Sequence, residues 1–71
     1  MTEKQKKDFG KNVQHLLIDK DIRPIDLAQK AGVSRQFFNA VLKGISPPPF
    51  SLVLFLSKEL DVSIDDLVKA R

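Results

Sequence analysis

Three residues, Gly32-Val33-Ser34, separate two segments whose apolar residues recur at helical spacing. That short join constrains the fold more than any other feature of the chain. A glycine placed after an apolar-periodic segment can take positive φ and end a helix. A serine two residues later can start the next one, because its hydroxyl accepts a bond from a free first-turn N–H. The upstream helix is predicted over about Pro24 to Ala31, with proline in the first turn, where its missing N–H costs nothing. The downstream helix is predicted over about Arg35 to Lys43 and stops at Gly44. A connection this short forces the two helices to cross steeply.

The flanking sequence also reads as helical. Phe9, Val13, Leu16 and Leu17 fall at i, i+4, i+7 and i+8, predicting a helix over about Thr2 to Lys20. Gly10 weakens it by about 1 kcal/mol, and residues 1–8 are expected to fray. Pro47-Pro48-Pro49 reads as a stiff spacer rather than a proline-rich ligand. A fourth helix follows over about Pro49 to Leu60, with Phe50, Val53 or Leu54, Leu56 and Leu60 expected to face the core. Ser63 caps a last helix carrying Ile64, Leu67 and Val68, with Asp66 in a capping-box-like position. No apolar/polar alternation persists, so no strand is predicted, and no internal repeat stands out. The expected fold class is all-α: one compact five-helix domain over residues 1–71, with its helix-turn-helix at about 24–43.

Composition removes several function classes. The chain lacks cysteine, so neither a disulfide nor a cysteine-based metal site is available. His15 is the only histidine and reads as a polar boundary residue of the first helix. No nucleophile–base pair, histidine pair or phosphate-binding glycine loop is visible, so no catalytic residue, metal or cofactor is expected. Asp65 and Asp66 are adjacent carboxylates, which point to different sides of a helix and suit its N-terminus instead. No small-molecule ligand is expected. The longest apolar run, Leu52 to Leu56, is too short to cross a bilayer, and the charged N-terminus does not read as a signal peptide. A cytoplasmic location is expected. The net charge is only +3, but no acidic residue occurs from Ala28 to Ser57, where Lys30, Arg35 and Lys43 fall. A segment meant to approach phosphates has this distribution.

The window Arg23 to Gly44 resembles the helix-turn-helix of the Cro/CI (XRE) family of phage repressors. The residues that carry the resemblance are Leu27-Ala28, Gly32-Val33-Ser34, Phe38, Val41 and Lys43-Gly44. It continues through Pro48, Phe50, Val53, Leu54, Leu56 and Leu60 to Val62-Ser63-Ile64-Asp65-Asp66-Leu67, covering about residues 9–68. The resemblance implies a lambda-repressor-like fold whose second motif helix lies in the major groove of double-stranded DNA. On this reading Ser34, Arg35, Gln36 and Asn39 face base edges, with arginine suited to guanine and glutamine or asparagine to adenine. Phe37 or Ala40 can meet a thymine methyl. Lys30 and Lys43 are placed for phosphates.

Three departures from the family pattern bear on function. Pro24 stands where the family often has a glutamine that helps hold phosphate. Leu42 stands where many members have glutamate. Apolar residues fall at usually polar positions: Phe37 and Leu42 on the third helix, Leu52 and Phe55 on the fourth. Exposed apolar clusters mark interaction surfaces, so these four are expected either to form a partner surface or to be recruited by a thin core. The leading reading is a sequence-specific DNA-binding regulator that pairs with a second copy on DNA. The runner-up is a phage modulator or antirepressor of the same fold that binds a repressor protein through its third and fourth helices. An enzyme is the remaining, weakest reading.

Overall fold

The computed structural model describes residues 1–70 and contains α1 (Glu3–Asp19), α2 (Pro24–Ala31), α3 (Arg35–Leu42), α4 (Phe50–Leu60) and α5 (Ile64–Val68). Among the described residues there is no strand. α1 reaches back to Glu3, into the residues 1–8 expected to fray, and a capping box starts it. The Thr2 hydroxyl accepts from the Gln5 N–H at 3.1 Å, and the Thr2 N–H donates to Gln5 Oε1 at 2.9 Å. This satisfies two backbone donors that a free helix end would leave to water.

The core takes Phe9, Val13 and Leu17 from α1, Leu27 and Ala28 from α2, and Phe38, Val41 and Leu42 from α3. Leu52, Val53, Leu56 and Leu60 of α4 and Leu67 of α5 complete it. α1 packs against both α3 and α5. Gly10 lies at its crossing with α3, where a Cβ would run into the Leu42 carbonyl and sit 2.9 Å from the Val41 carbonyl oxygen. The glycine that weakens α1 as a helix therefore allows its closest contact. α5, with five residues, is too short to persist alone. Leu67 is fully buried beneath it, and the Asn12 side-chain amide donates to the Leu67 and Lys69 carbonyls at 2.8 and 2.9 Å.

The apolar stripe of α4 differs from the sequence expectation. Leu52, Val53, Leu56 and Leu60 face inward, whereas Phe50 is 71% exposed and Leu54 37% exposed. Seven of the eleven residues in α4 are apolar, so spacing alone fits more than one phase. The actual phase puts Leu52 at 3% exposure and packs half-buried Phe55 against the core.

Candidate nucleic-acid interface

The corner between α2 and α3 is built by local chemistry. Ala28 is buried in the core, where its single methyl takes little room. Gly32 ends α2 at φ 74°, and no atom lies within 4 Å of where its Cβ would stand. Its backbone conformation, not lack of space, is what calls for glycine. The Val33 N–H closes the helix end on the Ala28 carbonyl at 3.1 Å, while its side chain packs half-buried against the core. The Ser34 hydroxyl accepts from the Phe37 N–H at 3.0 Å.

α3 then divides cleanly by face. Phe38, Val41 and Leu42 are buried, and Phe37 and Ala40 are half-buried at the margin. Arg35, Gln36, Asn39 and Lys43 are all exposed. At 3.6 residues per turn these four fall on one arc of about 100°. Ser34 is exposed at the head of this face. Its oxygen is committed to the cap, but its O–H proton can still be donated. The first-turn amides of Arg35 and Gln36 have no intrahelical partner by the nature of a helix start. No acidic residue lies in that first turn. A helix with its side chains is about 10–12 Å across, close to the width of a B-DNA major groove.

The two expected phosphate contacts differ. Among the described residues Lys43 makes no salt bridge, so its charge is available beside the α3 face. Lys30 instead lies 3.0 Å from Glu59 of α4. The acid-free window is therefore breached in space, because the fold brings Glu59 to a lysine far from it in sequence. Pro24 occupies the first turn of α2, beside an Arg23 whose guanidinium bonds both Asp26 carboxylate oxygens at 2.9 and 3.2 Å. That bond, with the attraction of the Asp26 charge, holds Arg23 still more firmly in its charged form.

The expected apolar partner surface needs correction. Leu42 is 8% exposed and Leu52 3%, so both belong to the core and offer little to a partner. Phe37 and Phe55 are half-buried and pack on that core. The carbonyl of Leu42 is also used internally, accepting from the Gln14 side-chain amide at 2.6 Å. The large apolar side chains that do face solvent include Ile18, Ile45, Phe50 and Leu54. Sequence reasoning missed Phe50 and Leu54 because the α4 phase is ambiguous.

No helix among the described residues is long and apolar enough to cross a membrane. The sequence pattern that defines the Cro/C1-type HTH DNA-binding domain matches residues 12–71. Neither a curated protein nor a solved structure matches the chain.

Proposed function

The chain belongs to the Cro/C1-type HTH DNA-binding domain family, and from that premise we propose that it is a sequence-specific transcriptional repressor that lays α3 in the major groove. The observation that carries this reading is the exposed arc of Arg35, Gln36, Asn39 and Lys43, on a helix with no acidic residue in its first turn. Arg35, Gln36 and Asn39 supply the donor and acceptor pairs that distinguish base edges, with Ser34 adding a hydroxyl at the head of the helix. Lys43 and the first-turn amides hold phosphate and so fix the register in which the bases are read. Two copies on paired half-sites one helical turn apart would double this interface.

The test is selection of binding sites from a randomised duplex pool, followed by anisotropy titration of the enriched sequence. Enrichment of one sequence, with affinity that falls as salt rises, supports the reading. At that site Arg35→Ala should weaken binding by about 1–3 kcal/mol and relax preference at one base pair. Sequence-blind recovery from the pool would remove it.

The second reading, a modulator that binds a repressor protein, rests on different residues than the sequence suggested. Leu42 and Leu52 are buried and cannot serve it, and Phe50 and Leu54, neighbours at i, i+4 on α4, take their place. Light scattering with a matched repressor tests it: a rise in mass on mixing favours it, and two unchanged species count against it.

A further inference from the structure

The N-terminal half of α1 has no part in the proposed reading, and most of it lies before the residues matched by the family pattern, 12–71. It nevertheless holds Lys4, Lys6, Lys7 and Lys11, four of the chain's 12 basic residues. The fold brings this segment to the C-terminal end of α3. A Cβ on Gly44 would fall 2.8 Å from Lys7 Cγ and 2.9 Å from Lys7 Cα, so the two backbones touch where α3 ends. Lys6 Nζ lies 3.4 Å from the Ile45 carbonyl oxygen. Further along α1, Gln14 holds the Leu42 carbonyl. Helical spacing puts Lys7, Lys11 and Gln14 on one edge of α1, within an arc of about 60°. That edge runs beside Lys43.

The charges on this edge are not equivalent. Lys6 is tied to Glu3 at 2.8 Å and Lys4 to Asp8 at 2.9 Å. The Glu3 carboxyl is held below its usual range, first by its hydrogen bond from Lys6, then by the Lys6 charge, with a smaller contribution from Lys7. Both acids of the segment thus already have a lysine. Lys7 and Lys11 are exposed, and among the described residues neither makes a salt bridge. With Lys43 they make three cations without a salt bridge among the described residues, set at the end of the α3 face and along α1. The strands flanking a major groove carry phosphates on either side of a helix that occupies it, and contacts to them fix a protein's orientation.

We infer that Lys7 and Lys11 extend the interface from α3 onto α1 and grip the sugar–phosphate backbone at the rim of the groove. They add affinity without reading sequence. The inference rests on the proposed placement of α3 in DNA, and its test separates the two. The intact chain, its Lys7→Gln/Lys11→Gln double variant and a Lys58→Gln control are titrated into a labelled duplex over a range of salt. Lys58 is exposed on α4, which packs on α5. The double variant is expected to flatten the plot of log K against log salt by about 1.8, roughly 0.9 for each phosphate no longer neutralised. The control should keep the original slope. The preferred sequence should stay the same, since phosphates carry no base identity. Glutamine preserves helix propensity, and an unchanged circular dichroism melt verifies that the fold is intact. A double variant with the original slope overturns the α1 flank while leaving the α3 reading in place. A flattening of about 0.9 in the single-charge control, half that of the double variant, also overturns it, reducing the effect to net charge. A parent chain that shows no salt-dependent DNA binding overturns both.

Discussion

The turn that joins α2 to α3 and the turn that joins α4 to α5 are the same structure built from different chemistry. Each has a left-handed residue, Gly32 at φ 74° and Asp61 at φ 56°. Each continues with a valine whose N–H reaches back five residues, Val33 to Ala28 at 3.1 Å and Val62 to Ser57 at 3.0 Å. Each then caps its helix with a serine, Ser34 accepting from Phe37 and Ser63 from Asp66, both at 3.0 Å. Four residues past each cap stands a fully buried anchor, Phe38 or Leu67. The difference lies in the side chains just past the cap. α3 opens with Arg35 and Gln36, whereas α5 has Asp65 and Asp66 in its first turn. Both helix starts present amide donors and a partial positive charge. Only the first is free of carboxylates that would repel a phosphate, because Asp65 and Asp66 stand in the first turn of the second. Backbone geometry therefore makes a helix-turn-helix corner twice, and on the proposed reading side-chain charge decides which one approaches DNA.

The largest effect expected from probing this comparison is on the anchors. Phe38→Ala should cost about 3–5 kcal/mol and Leu67→Ala about 2–5 kcal/mol in urea unfolding, since each leaves a cavity in a small core. If Leu67→Ala proved silent, the second turn would be a passive appendage and the parallel would fail. The comparison sharpens with Gln36→Asp, which gives α3 an acid in its first turn as α5 has. Stability should hold or rise by about 0.3–1 kcal/mol, because an acid suits a helix N-terminus. Binding to the preferred duplex should fall by at least about 1–3 kcal/mol, because the glutamine no longer pairs with a base and the acid repels phosphate. Opposite signs in the melt and the titration are the expected signature. The smallest effect is at the caps. Ser34→Ala and Ser63→Ala should each lower stability by about 1 kcal/mol, near equally, because each removes one bond to one amide.

Much of the fold is legible in the sequence where the signal is local. Proline at the first turn, glycine at the helix end and serine at the cap act through single-residue physics, and α2 and α3 lie where those residues predict. The polar face of α3 follows from spacing once the bounds of the helix are right. The parts that are not legible depend on distance or degeneracy. Ser63 marks the second turn in the sequence, but Asp61 ends a helix as Gly32 does while aspartate has many other uses, so the parallel of the second turn to the first does not show there. α4 is apolar over too much of its circumference for spacing to choose between Phe50 and Leu52. The Lys30–Glu59 pair and the bonds from Asn12 and Gln14 to helix-end carbonyls join residues far apart in sequence. No local pattern announces them.

The most direct test of which corner meets DNA is an NMR titration of the isotope-labelled chain with the selected duplex, monitored amide by amide. Arg35, Gln36 and Asn39 are expected to shift or broaden first, while Ile64, Asp65 and Asp66 stay in place. Shifts centred on α5, or on the Phe50–Leu54 face of α4 with α3 undisturbed, would contradict the assignment of α3 to the groove.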